Sequence, residues 1–276
     1  MIDYHIHPDY SSDAQGKIAD FCQSALKCDI KELCFTTHYE PDPIRAEIEQ
    51  VIVAGQPMSV DSAWVNFYLN EIDEARSAFP ELTIRAGVEI GYEMGMEGKI
   101  ADFLGRYQFD YVLGAIHCLD HIAITSAQEL TEFREWLKPR GAGFIAQRYF
   151  DYVRAAVGSK LFDCLAHLDI WRKYILPEVG DVFLAEIEYK IKPMLEHIAQ
   201  SGTGLEINSS ALRRGEKEPY PESKIIAQAI AVGIDLFTVG SDAHRAADLG
   251  KGIDKVMKTL SQFGLAPARF KNRQRC

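Results

Sequence analysis

The chain has 276 residues, of which 47% are hydrophobic and 25% charged, and its net charge is −10 at pH 7. These proportions belong to a globular protein with a sizeable buried core, and no apolar run approaches the roughly 20 residues that cross a bilayer. The acidic balance argues against nucleic acid as a partner, because backbone phosphates are met by lysine and arginine. The one basic cluster, ARFKNRQRC at the C-terminus, reads as a solvated tail. No basic and apolar leader precedes the first motif, so a cytoplasmic location is expected. Cys22, Cys28, Cys34, Cys118, Cys164 and Cys276 contain no CxxC pair and are expected to be free thiols, most of them in apolar surroundings.

In chain order the strand candidates are IDYHIH (2–7), KELCFTTH (31–38), LTIRAGVEIG (82–91) and FDYVLGAIH (109–117). LFDCLAHLD (161–169), GTGLEINSS (202–210) and IDLFTVGSDAH (234–244) follow. Near-continuous apolar runs of this length suit strands covered on both faces. Amphipathic stretches lie between them: KIADFCQSALK, VNFYLNEIDEARSAF, VFLAEIEYKIKPMLEHIAQ, SKIIAQAIAVG and KGIDKVMKTLSQFG, with Gly233 and Gly264 where helix C-caps belong. Seven strands alternating with helices predict an α/β fold with a parallel sheet, and their even spacing favours a closed barrel. Neither a GxGxxG nor a P-loop sequence is present, which removes the main reason to prefer an open nucleotide-binding sheet. Residues 1–276 are read as a single domain, with 41–80 a helical insertion between the second and third strands.

The strand ends carry the chemistry. His5 and His7 close the first strand, His38 the second, Glu89 the third, His117 the fourth, His167 the fifth, and Asp242 with His244 the seventh. Only His121 and His197 fall elsewhere. In parallel barrels catalytic groups come from the C-terminal strand ends. Residues i and i+2 of a strand project to one side, so His5 and His7 point together. So many imidazoles at one mouth need either many separate hydrogen-bond partners or shared divalent cations, and neutral imidazole is a common metal ligand. Glu89 ends an apolar strand where an unpaired charge would be costly, and its two oxygens could bridge two ions. Asp13 reads equally as a ligand or as the N-cap of a helix starting near Lys17.

HIHPDYSSD, TTHYE, GVEIG, AIHCLD, AHLD and GSDAH stand in the order and approximate spacing of the polymerase and histidinol phosphatase (PHP) family, which the chain resembles from residue 5 to residue 244. The resemblance implies a distorted (β/α)7 barrel and two to three divalent metal ions, whether Zn, Fe or Mn. By position, it implies one ion on His5, His7, Glu89 and Asp242, a second on Glu89, His117 and His167, and a third on Asp13, His38 and His244. Thr37 stands where many members carry an acidic residue, a position that is not a usual ligand. Amidohydrolase barrels also begin with His-x-His and end with Asp, but they bridge their metals with a lysine at strand four, where this chain has His117.

Clustered divalent cations generate hydroxide at neutral pH and clamp a phosphoryl group. The expected reaction is hydrolysis of a small phosphate ester by a bridging hydroxide, with Asp13, Asp242 or bound water handling the leaving-group proton. Glu206, Asn208, Arg213 and Arg214 follow the sixth strand into its loop, where specificity residues belong. LEINSSALR and HLDIWRKY resemble the histidinol-phosphatase branch, which adds Arg172 and Lys173 as phosphate-side candidates and L-histidinol phosphate as the implied substrate. A sugar or nucleoside phosphate is the alternative. Glu206 is the candidate partner for the substrate amine.

Overall fold

The apolar runs pair as parallel neighbours. In a computed structural model describing residues 1–276, β1 (Ile2–Ile6), β2 (Glu32–Phe35), β3 (Thr83–Gly91), β4 (Tyr111–Ala115), β5 (Cys164–Leu165), β6 (Gly204–Asn208) and β7 (Phe237–Gly240) lie side by side in that order. β1, β4, β6 and β7 are buried along their whole length, as expected of strands covered on both faces. The chain just after β7 returns beside β1: the Asp242 N–H donates to the His5 carbonyl at 2.8 Å and the His7 N–H to the Ala243 carbonyl at 2.9 Å. The sheet is thereby nearly closed into a barrel, with every strand pointing the same way.

Helices pack outside. In α1 (Ile18–Lys27) the buried residues are Ile18, Phe21, Cys22 and Ala25, the 3-and-4 spacing of one helical face. The other predicted helices form as α2 (Trp64–Ala78), α7 (Asp181–Ser201), α8 (Ser223–Ala231) and α9 (Ile253–Gln262). Gly233 and Gly264 stand two residues past α8 and α9 with φ of 99° and 73°, the left-handed C-cap conformation that glycine adopts without strain. Four more helices, α3 (Glu97–Arg106), α4 (Leu130–Leu137), α5 (Ala142–Ser159) and α6 (Trp171–Val179), join the outer layer, and a single helical turn, Ser210–Arg213, follows β6. No helix is long and apolar enough to cross a membrane.

Three expectations change. Residues 41–80 are only partly helical: a 3-10 turn at Pro43–Arg45 and a hairpin of Gln50–Val53 with Gln56–Ser59 precede α2. β5 makes only two residues of ladder, because the chain turns sharply at His167, where φ is 28°. The basic C-terminus is not a solvated tail. Phe270 is buried against Tyr111, with ring centroids 5.0 Å apart, and its N–H donates to the Tyr4 hydroxyl at 2.9 Å. Arg273 donates to Asp163 at 2.9 Å and to the Leu161 carbonyl at 2.8 Å. This segment closes the barrel end opposite the strand C-termini. Of the thiols, Cys28 and Cys276 are exposed and the other four are buried.

Candidate metal centre

The direction of the strands brings the predicted ligands to one mouth. His5 lies in β1 and His7 just beyond it, and both imidazoles are fully buried. Glu89, in β3, pairs in register with His38 on the short strand His38–Tyr39. His117, His167 and Asp242 each follow the end of β4, β5 and β7 by two residues.

Glu89 occupies the centre. Its Oε2 lies 3.2 Å from His5 Nε2, 3.4 Å from His7 Nε2 and 3.0 Å from His38 Nδ1. Its Oε1 lies 3.4 Å from His117 Nε2 and 3.2 Å from His167 Nε2. One oxygen thus faces each group of imidazoles, the disposition of a carboxylate shared between two ions. Asp242 Oδ1 stands 3.7 Å from His5 Nε2 and 3.5 Å from His7 Nε2. Asp13 reaches His244 Nε2 at 3.2 Å and His38 Nε2 at 3.8 Å. It does not cap α1, whose N-cap is Lys17, so its oxygens face His38 and His244 instead.

These separations test the fit of metal ions. Two ligands each about 2.1 Å from an ion, at tetrahedral or octahedral angles, stand about 3 to 3.5 Å apart. The Nε2 atoms of His5 and His7 are buried and find no partner in hydrogen-bond geometry, although Glu89 lies beside both. Buried imidazole nitrogens left unpaired among carboxylates fit a divalent cation. Electrostatics agree. Burial works to raise the Glu89 carboxyl, yet His5 and His117 hold it well below the usual range. Burial likewise opposes, but His5 and His7 hold Asp242 down, and His244 and His38 hold Asp13 down. Burial, with His38 and His244 close by, pushes His7 well below the usual imidazole range, which favours the neutral form that a metal ion requires. Asp242, at φ 54°, and His167, at φ 28°, both turn the chain through positive-φ backbone at the ends of their strands.

Comparison with known proteins agrees with this geometry. The PHP domain family model matches residues 3–210. The chain belongs to the PHP domain family. A Deinococcus radiodurans protein named "Probable histidinol-phosphatase" is 26% identical over 99% of this PHP chain and 98% of its own. The Bacillus subtilis protein named "Histidinol-phosphatase" is 26% identical over 90% of this chain and 95% of its own. A solved histidinol phosphate phosphatase from Lactococcus lactis, complexed with zinc, L-histidinol and phosphate, shares the fold. It superposes with a TM-score of 0.80 at 20% identity, covering all of this chain and 98% of that one.

Behind the PHP centre stands a layer of holders. His5 Nδ1 donates to Glu206 Oε1 at 2.6 Å, and Asn208 donates to Glu206 Oε2 at 3.1 Å and to Asp242 Oδ2 at 3.4 Å. His117 Nδ1 donates to Glu40 Oε1 at 2.7 Å, and His7 Nδ1 lies 3.2 Å from Ser11 Oγ. Such partners fix the tautomer and orientation of a ligating imidazole. Glu206, 1% exposed, lies behind His5 and cannot meet a substrate amine, and Asn208 is equally enclosed. Gly240 makes room for this pair: a Cβ there would stand 2.3 Å from both Glu206 Oε1 and His5 Cβ. Glu40 and Ser11 escaped the sequence reading. The signal for Glu40 was its i+2 spacing from His38, which puts both on one side of a strand.

The phosphate-side candidates divide. Lys173 and Arg214 line the cavity above the centre. Arg172 does not: its guanidinium donates to Asp169 at 3.0 Å, Glu216 at 2.5 Å and the Pro219 carbonyl at 2.6 Å, tying the loop after β6 to α6. Arg213 is spent on the carbonyls of Ser241 and Asp242, at 2.7 and 2.9 Å, bracing the turn that presents Asp242. Both are corrected from substrate contacts to braces.

Proposed function

We propose that this protein is a metal-dependent phosphomonoesterase that hydrolyses L-histidinol phosphate to L-histidinol and phosphate. The observation that carries the reading is Glu89, with one oxygen turned to His5 and His7 and the other to His117 and His167. The substrate is supported by relatives named as histidinol phosphatases along nearly the whole chain. His5, His7, Glu89 and Asp242 would hold one ion, Glu89, His117 and His167 a second, and Asp13, His38 and His244 a third. Bound there, divalent ions neutralise phosphoryl oxygens and bring water within reach of ionisation at neutral pH.

The chain's own groups do the rest. Lys173 makes one hydrogen bond, to the Thr125 carbonyl at 2.8 Å, and keeps further donors for a phosphoryl oxygen. Arg214, on the same cavity, commits Nη2 to Glu216 Oε1 at 3.0 Å and to the Tyr220 hydroxyl, which leaves Nε and Nη1 of its planar fork for phosphate. Asp13 or Asp242, held ionised, would accept the proton of the attacking water and pass it to the departing alcohol oxygen. A cytoplasmic location belongs to the same proposal and is supported by six free thiols.

The test is phosphate release from L-histidinol phosphate, sugar phosphates and nucleoside monophosphates, with metal content assayed on the same preparation. Histidinol phosphate is expected to lead in kcat/KM by about tenfold or more. Faster turnover of a sugar or nucleotide ester would overturn the substrate while leaving the centre intact.

A further inference from the structure

The cavity over the metal centre encloses about 540 Å³, and charged side chains from separate segments line it. On one side Lys173 lies within electrostatic reach of Arg214, Asp242 and Asp13. On the other side the insertion contributes Glu49, within reach of Glu40 and His38. The single cation there, Arg45, is 5% exposed and shared between two carboxylates. Its Nη1 and Nη2 donate to Oε2 and Oε1 of Glu129 at 2.8 and 3.0 Å. Its Nε and Nη2 donate to Oε1 of Glu49 at 3.2 and 2.6 Å.

Glu129 is therefore engaged through both oxygens, whereas Glu49 Oε2 receives no hydrogen bond. One guanidinium thus faces two carboxylates, so this wall is short of positive charge. The adjacent Gln50 side chain also lines the cavity and makes no hydrogen bond. Ile48, 58% exposed at the same rim, offers apolar surface next to the free carboxylate oxygen. A ligand with a phosphoryl group at one end and a cationic, partly apolar group at the other would meet every uncommitted group.

We propose that Glu49, positioned by Arg45, selects for a cationic nitrogen on the alcohol half of the substrate and makes the insertion the specificity element of the enzyme. The inference rests on the phosphomonoesterase reading and adds to it the residue that reads the leaving alcohol. Arg45 is a positioning residue. It holds Glu49 Oε1, and the free Oε2 accepts from the ligand in a charge-assisted hydrogen bond.

Esters that differ chiefly in the ammonium give the test: O-phosphoethanolamine against propyl phosphate, with L-histidinol phosphate alongside. Glu49→Gln keeps an oxygen for Arg45 but loses the charge. It is expected to lower the ratio of kcat/KM, cationic ester over neutral ester, by about tenfold or more. The loss should fall on KM, with partial recovery in Glu49→Asp and unchanged metal content. Equal losses on both esters would mark a structural role and overturn the inference, as would an unchanged ratio. Binding of 2-aminoethylphosphonate and propylphosphonate, which resist hydrolysis, provides the same comparison without turnover. A wild-type protein that ignores histidinol phosphate yet shows a Glu49-dependent preference for the aminoalkyl ligand would sink the substrate reading and uphold this one. No preference for the ammonium in either assay would sink this one alone.

Discussion

Glu206 illustrates how a single side chain's role depends on what stands in front of it. Its position after β6 suits a substrate contact, but the His5 imidazole, 2.6 Å away, covers it. Its charge orients the imidazole and raises its basicity as a ligand. Glu206→Gln is therefore expected to weaken metal retention by roughly 10- to 100-fold, read as metal content after dialysis against a buffered chelator. KM for histidinol phosphate in metal-saturated enzyme should stay near the wild-type value; a raised KM at full occupancy would restore the substrate role. Glu40, at 2.7 Å from His117 Nδ1, holds the other side of the centre. Eight of the nine ligand candidates stand out by residue type and strand-end position, and Asp13 joined them only through the family resemblance. Their holders do not stand out, because a carboxylate two residues from a histidine has no signature until the backbone places it behind the ring.

At the scale of elements, the loop after β6 and the start of α6 separate three arginines that look alike in sequence. Arg172 crosses from α6 to the loop and pairs with Asp169, which is fully buried and whose carboxyl burial pushes up to about 7. Arg172→Ala would leave that carboxylate without its cation, at a cost of about 3 kcal/mol in urea denaturation. KM of the folded fraction should change little. Arg214→Ala should do the reverse: stability within about 1 kcal/mol, because the side chain is 37% exposed, and KM raised about tenfold through loss of a phosphate contact. Matching stability losses in the two variants would show that neither arginine is specialised. The helix periodicities were legible where one face is apolar, as in α1, whereas α3 to α6 went unread in the sequence. The hairpin at Gln50–Ser59 was missed because its strands are only four residues each and neither QVIV nor QPMS alternates apolar with polar residues.

For the whole molecule, the two ends of the barrel carry different burdens. The end opposite the site is sealed by Phe270 against Tyr111, with the Phe270 N–H bound to the Tyr4 hydroxyl. Phe270→Ala should cost about 3 to 5 kcal/mol, measured by thermal or urea unfolding. Turnover at a temperature where the variant stays folded should be unchanged; an intact melting temperature would return the segment to the status of a tail. The site end depends on cations instead. Without them, Glu89, Asp242 and the unpaired nitrogens of His5 and His7 lose the partner that their burial calls for. Chelation should lower the melting temperature, and added Zn²⁺ or Mn²⁺ should restore about 3 kcal/mol at 100 times its dissociation constant. A melting temperature indifferent to chelator would count against a tightly held metal.

The sequence by itself determined the seven strands of the α/β barrel and the candidate ligands at their ends, because strand periodicity and C-terminal strand ends are local properties that chain order preserves. It also predicted the glycine C-caps of α8 and α9, for the same local reason. Only the tertiary structure decided which polar residues face the cavity and which stand behind it. That distinction turned Glu206, Asn208, Arg172 and Arg213 into supports, and it took Asp13 from a possible helix cap to a neighbour of His38 and His244. It also gave the C-terminal segment a packing role and exposed the unclaimed oxygen of Glu49. Facing, covering and leaving uncovered are relations between segments far apart in the chain, and closure of the barrel is what creates them.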